Sequence, residues 1–189
     1  MAGQHTALRS MHDVGLAAWF GGSLMGAVGL NAAASQARDP AERTSVASAG
    51  WAHWTPVNAT AIGAHLIGST GELITERGRV VTQSGVGTMS ATKAALTLAA
   101  LAVTGYSRAL GKRIEQAAGT PVQGTTEPSG ETRHDIAVAQ RQLRALQWAI
   151  PALTGALVVI TALAGEQQKP GQVAKGMWGR VTGLLGASK

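Results

Sequence analysis

The stretch that decides the fold is residues 12–34, HDVGLAAWFGGSLMGAVGLNAAA. No Asp, Glu, Lys or Arg occurs between positions 14 and 37. A helix needs about 20 predominantly apolar residues to cross the hydrocarbon core of a bilayer. The stretch therefore predicts a transmembrane helix over residues 12–34. We interpret it as a retained helix, because no A-x-A-type signal-peptide cleavage site stands at its expected end.

Three later stretches have the same character. Residues 44–71 and 145–165 contain no Asp, Glu, Lys or Arg, and residues 80–107 contain only Lys93. They predict helices over residues 54–75, 88–110 and 143–165, so the expected fold is an all-α, integral membrane four-helix bundle within residues 1–168. The remaining residues, 169–189, predict a short amphipathic helix that lies in the membrane interface.

The segments between these helices carry turn and breaker residues. Pro56 suits the first turn of the second helix, and Pro151 is expected either to kink the fourth helix or to be accommodated by neighbouring helices. Residues 133–144 are polar with helical character, which indicates that the fourth helix begins outside the membrane. Residues 119–130, GTPVQGTTEPSG, predict a mobile loop.

The composition supports a membrane protein, with a soluble helical bundle as the alternative. Charged residues make up 14% of the chain, against about 25% in soluble domains. The absence of cysteine excludes disulfides, zinc thiolate sites and iron–sulfur clusters. The net charge of +6 indicates basic loops beside anionic headgroups and no nucleic-acid partner. The prediction is a multi-pass protein of the cell membrane whose orientation stays open, and the Ala, Gly, Thr and Arg bias is typical of a high-GC bacterium.

Small residues and tryptophans indicate how the helices pack. The glycines of the first helix predict close helix packing within the bundle, or alternatively a homodimer face; they are Gly15, Gly22, Gly26 and Gly29. Four tryptophans lie near predicted helix ends, as in the aromatic belts of membrane proteins; they are Trp51, Trp54, Trp148 and Trp178.

Polar residues inside the membrane are candidates for function, because they are expensive to bury there. Asn58, His65 and Glu72 are seven residues apart and lie on one stripe of the second helix. The stripe indicates either a ligand- or proton-handling face or ordinary interhelical hydrogen bonds. Because neighbouring helices alternate in direction, five ionisable residues are expected at the same end of the bundle; they are His12, Asp13, Glu72, Lys93 and Glu166. There, Lys93 could form an ion pair with Glu72 or extend to the membrane interface.

Residues 12–22 read H-x6-W-x-G-G, which resembles the first helix of the copper-resistance D-type membrane proteins and the related HemJ-type protoporphyrinogen oxidases. Residues 90–108, with Lys93, look similar to the later helix that opens with a lysine in those four-helix proteins. The resemblance covers about 40 residues. It implies a haem-binding role for His12 and Lys93.

Three functional hypotheses remain. The first is a membrane protein without an evident catalytic motif, serving as an accessory subunit of a larger complex or associating with itself. The second is a haem-binding or redox protein that uses His12 with Lys93 or His65. The third is a metal or small-solute transporter that uses the face formed by Asn58, His65 and Glu72. The sequence contains no recognisable metal-binding or nucleophile motif that would favour one of these hypotheses. It therefore does not identify a reaction or a metal.

Overall fold

The computed structural model describes residues 2–75 and 86–167, and most of these residues are helical. Helix α1 consists of Ala2–Met25, a π-helical segment at Gly26–Leu30 and a last turn at Asn31–Ser35. The other elements are α2 at Arg43–Thr75, α3 at Val86–Glu115, β1 at Val122–Gly124, β2 at Glu127–Pro128 and α4 at His134–Gln167. The all-α prediction is confirmed, with four long helices in the predicted order.

The helices extend beyond the apolar stretches that predicted them. Helix α2 begins at Arg43 and not near residue 54, and no proline interrupts the helix between these positions. Pro56 therefore lies inside α2, which corrects its predicted place in the first turn. Helix α4 begins at His134, so the polar segment before residue 144 is helical, as predicted. The predicted interfacial helix at 169–189 lies outside the described residues.

Neighbouring helices run in opposite directions. Helix α1 packs mainly on α2 and also on α4, α3 packs on α4, and α2 and α3 touch much less. Near the start of α1, Leu8 lies against Gly71 near the end of α2. Phe20 of α1 lies against Gly155 of α4, and Arg9 approaches Gly165 further along the same helix. The chain is thus an up-and-down bundle in which the end of α1, the start of α2 and the start of α4 share one end.

A β-hairpin occupies that end of the bundle, where the sequence predicted a mobile loop. Strands β1 and β2 pair antiparallel, and Val122 is buried. The guanidinium of Arg43 donates to the carbonyl oxygens of Ala37, Val122 and Gln123 at 2.8–3.2 Å. The buried amide of Gln140 donates to the carbonyls of Gly124 and Thr125. These bonds anchor the segment, since each one satisfies a backbone acceptor that a loop would leave to water.

Two of the described helices are long and apolar enough to cross a membrane by length and composition. They are His5–Ser35 and His134–Gly165. Helices α2 and α3 have sufficient length, but their apolar stretches are rich in alanine, glycine and threonine. Length and composition therefore provide weak support for membrane association.

Candidate ligand-binding interior

Two histidines meet between α1 and α2. The side chains of His12 and His65 are both 0% exposed, and their ring centroids are 4.6 Å apart with the planes tilted by 46°. The indole of Trp19, also fully buried, meets His65 edge-on at a centroid distance of 6.1 Å. The structure therefore brings together two residues that the sequence analysis named as candidate haem ligands on different helices.

Glycines bring these rings together. A Cβ at Gly15 would collide with the carbonyl oxygen of Ala61 and would lie 2.6 Å from the amide nitrogen of His65. A Cβ at Gly68 would lie 2.5 Å from both the amide nitrogen of His12 and the carbonyl oxygen of Leu8. The two helices thus approach main chain to main chain at the level of the histidines, which only small residues permit.

The other predicted packing glycines behave differently. Gly22 and Gly26 lie beneath the side chains of Trp54 and Trp51, so both glycines contact α2 as predicted. The nearest atoms to Gly29 belong to Met25 of its own helix. Gly15, Gly22 and Gly29 are seven residues apart, but Gly29 does not face α2 as the other two do. The π-helical segment at Gly26–Leu30 changes the number of residues per turn and so turns Gly29 away. Trp51 and Trp54 are half-buried against α1, whereas Trp148 is 51% exposed.

Each histidine of the pair retains one ring nitrogen without a hydrogen-bond partner. Nδ1 of His12 lies 2.8 Å from Oδ1 of Asp13, and Nε2 of His12 has no partner among the described residues. Nε2 of His65 lies 3.4 Å from the hydroxyl of Thr97, and its Nδ1 is likewise without a partner there. If His12 donates to Asp13, its Nε2 carries a free lone pair, the arrangement that orients metal-binding histidines.

The geometry of the pair distinguishes between two kinds of occupant. Two imidazoles on one metal ion, each at about 2.0–2.1 Å, hold their ring centroids about 4.5–5.1 Å apart at angles of about 90–110°, and about 6.3 Å apart when trans. The observed 4.6 Å is within the range for two ligands on the same side of a single ion, and it is also an ordinary distance for two packed rings. A haem iron bound by both rings needs the trans arrangement, and the main-chain contacts at Gly15 and Gly68 leave no room for a porphyrin between them. The pair does not fit a haem held between His12 and His65.

The other predicted intramembrane residues lie elsewhere on α2 and α3. Asn58 and Glu72 are half-buried on α2, and Oδ1 of Asn58 is buried without a partner in the described structure. Lys93 is half-buried on α3 and is near enough to influence His65 electrostatically. Within the described residues, Lys93 and Glu72 form no ion pair. Those residues also contain no group of three His, Asp or Glu side chains arranged to hold a metal.

A polar network that the sequence analysis missed lies at the hairpin end of the bundle. The amide nitrogen of Asn31 donates to Gln147 at 2.7 Å, and the oxygen of Asn31 accepts from the indole N–H of Trp51 at 3.0 Å. Closer to the histidine pair, the indole N–H of Trp19 donates to the hydroxyl of Thr104 at 3.2 Å. Isolated polar residues in apolar stretches were the available signal, and Asn31 and Gln147 both fit it.

Comparison with known proteins adds no relative. No protein family matches the chain, and neither a curated protein nor a solved structure matches it. The resemblance to the copper-resistance D-type and HemJ-type proteins stays a prediction from residues 12–22 and Lys93.

Proposed function

We propose that the chain is a four-span integral membrane protein that acts by holding other molecules or subunits, as an accessory component of a membrane complex. The observation that supports this is the distribution of side chains. Large apolar side chains are exposed on all four helices, while His12, His65, Gln140 and Thr154 are fully buried. Soluble domains bury apolar residues and rarely expose contiguous apolar surface, whereas a bilayer solvates apolar side chains.

All four helices contribute to this apolar exterior. On α2, the exposed side chains cover both the middle and the end of the helix; they are Val57, Leu66, Ile67, Leu73 and Ile74. Leu98 and Tyr106 are exposed on α3, and Val158, Val159 and Leu163 on α4. At a rise of about 1.5 Å per residue, the 33 residues of α2 and the 30 residues of α3 exceed the roughly 30 Å of the hydrocarbon core. The outward faces of α2 and α3 thus suit lipid even though their overall composition is less apolar.

The interior contains hydrogen bonds that join helices. Trp19 bonds to Thr104 between α1 and α3, and Asn31 bonds to Gln147 between α1 and α4. At the surface of the bundle, Tyr106 donates to Gln142 between α3 and α4 at 2.9 Å. Such bonds hold membrane helices in one arrangement. A fixed bundle with a lipid-like exterior suits a component that positions a ligand or a neighbouring subunit.

Extraction of native membranes with alkaline carbonate tests the membrane location. We expect nearly all of the protein to stay in the membrane pellet and to float with lipid in a density gradient. The gradient is the control, because aggregated protein also pellets but does not float. Release into the carbonate supernatant would contradict the proposal and support a soluble helical bundle.

We infer a second candidate function from the histidine pair, namely that His12 and His65 bind one transition-metal ion between α1 and α2. It is supported by the 4.6 Å centroid distance, the two nitrogens without partners and the carboxylate of Asp13 on His12. Imidazole nitrogen suits zinc, copper, iron and nickel. Metal titration of the purified protein, with His65→Ala as the variant, tests it.

A further inference from the structure

A cavity of about 250 Å³ lies between α2 and α3, towards the hairpin end of the bundle. Most of its lining comes from these two helices, and inward residues of α1 and α4 form its back. Since α2 and α3 touch less than the other neighbouring helices, the cavity is the space left by their separation. Ala59 and Gly105, both exposed, lie on its rim.

Aromatic side chains form part of the cavity wall. Trp19, Trp51 and Trp54 line it. The indole N–H groups of Trp19 and Trp51 already donate to Thr104 and Asn31, so these rings present carbon surface to an occupant. An apolar cavity of about 150 Å³ binds benzene. The present volume therefore accommodates a ring with a substituent or a segment of an acyl chain.

One side of the cavity is polar and positively charged. Arg108 is half-buried there, and in the described part of the chain its guanidinium forms no hydrogen bond or ion pair. The hydroxyl of the adjacent residue, Ser107, is also buried without a partner in that part. A cation and polar groups in an apolar environment are costly unless they are paired. An anion would accept hydrogen bonds from both Arg108 and Ser107.

We propose that this cavity binds an anionic amphiphile. Its apolar chain lies between the tryptophans, and its carboxylate or phosphate head accepts hydrogen bonds from Arg108 and Ser107. Neither histidine of the pair lines the cavity, and the site does not depend on a metal bound to them. Entry of the amphiphile from the bilayer, through the gap between α2 and α3, rests on the proposed membrane location.

Quenching of tryptophan fluorescence by chain-brominated amphiphiles tests this site. The protein is reconstituted in nanodiscs of zwitterionic phosphatidylcholine, with Trp148 and Trp178 replaced by phenylalanine so that the cavity tryptophans report. Brominated stearate and a brominated lysophosphatidic acid are compared with the uncharged methyl ester of the same chain. We expect saturable quenching by at least one anionic probe, and the probe that saturates at the lower concentration identifies the head group.

Variants of two arginines provide the matched comparison. Arg108→Gln should raise the half-saturating concentration of the anionic probe by about tenfold or more, since charged hydrogen bonds are lost. Arg141→Gln, at an exposed position on α4, should leave it unchanged. Equal quenching by the acid and the ester, or no effect of Arg108→Gln, would overturn the proposal. A native mass that shows a bound partner protein, together with the absence of saturable quenching, would also overturn it. A chain that is not a membrane protein would instead fail to incorporate into the nanodiscs.

Discussion

Gly15→Val is expected to be strongly destabilising. The added side chain would enter the space occupied by the carbonyl of Ala61 and the main chain of His65, and backbone atoms cannot turn aside as a flexible side chain can. Overpacking of a packed interior costs about 1–3 kcal/mol when side chains can adjust. We expect the upper end of that range or more, which corresponds to a fall of about 10 °C in the thermal midpoint for a chain of this size. Thermal unfolding in mild detergent measures it.

The matched control is Gly21→Val, six positions along the same helix. A Cβ at Gly21 meets nothing within 4 Å, so this variant should unfold within about 2 °C of the parent protein. Gly22→Leu should have an intermediate effect, because the atoms it meets belong to the side chain of Trp54. Equal stability of Gly15→Val and Gly21→Val would show that α1 and α2 do not meet main chain to main chain.

Loss of metal binding in His65→Ala is the second large effect that we expect. The parent protein should bind one zinc or copper ion per chain, whereas His65→Ala removes one of two imidazole ligands and should abolish stoichiometric binding. Asp13→Asn should weaken the affinity about 10–100-fold, the effect typical of residues that orient a metal ligand. Metal titration of the purified protein, followed by metal analysis after desalting, measures both.

His53→Ala is the control for this experiment, because His53 lies on the same helix but is exposed. It should bind metal as the parent does. Equal metal content in the parent, His65→Ala and His53→Ala would show that the pair is a packing contact. A Soret band that shifts on reduction and disappears in both His12→Ala and His65→Ala would contradict the geometric exclusion of haem between the two rings.

The sequence was sufficient to predict the helices and much of the interior. Long apolar stretches located all four helices, and two of the residues singled out as candidate ligands, His12 and His65, lie against each other in the structure. The spacing of Gly15 and Gly22 predicted their contact with another helix. These features depend on local periodicity and on chain connectivity, both of which a sequence displays directly.

Other features depend on distant parts of the chain and were missed. The π-helical segment redirects the end of α1, so Gly29 leaves the helix interface and Asn31 enters the interior. The hairpin is held by Arg43 and Gln140, which are remote from it in sequence. The cavity exists because α2 and α3 separate, and no local pattern encodes that separation.

Cysteine accessibility is the most direct test of the four-span topology, because the chain contains no cysteine of its own. Gln36→Cys and Gly130→Cys place a thiol in the segments before α2 and before α4, and Gln83→Cys places one between α2 and α3. None of the three changes a charge. With a membrane-impermeant maleimide on intact cells and on inverted vesicles, Gln36→Cys and Gly130→Cys should react from one side of the membrane and Gln83→Cys from the other. Reaction of all three from the same side would contradict the four-span bundle.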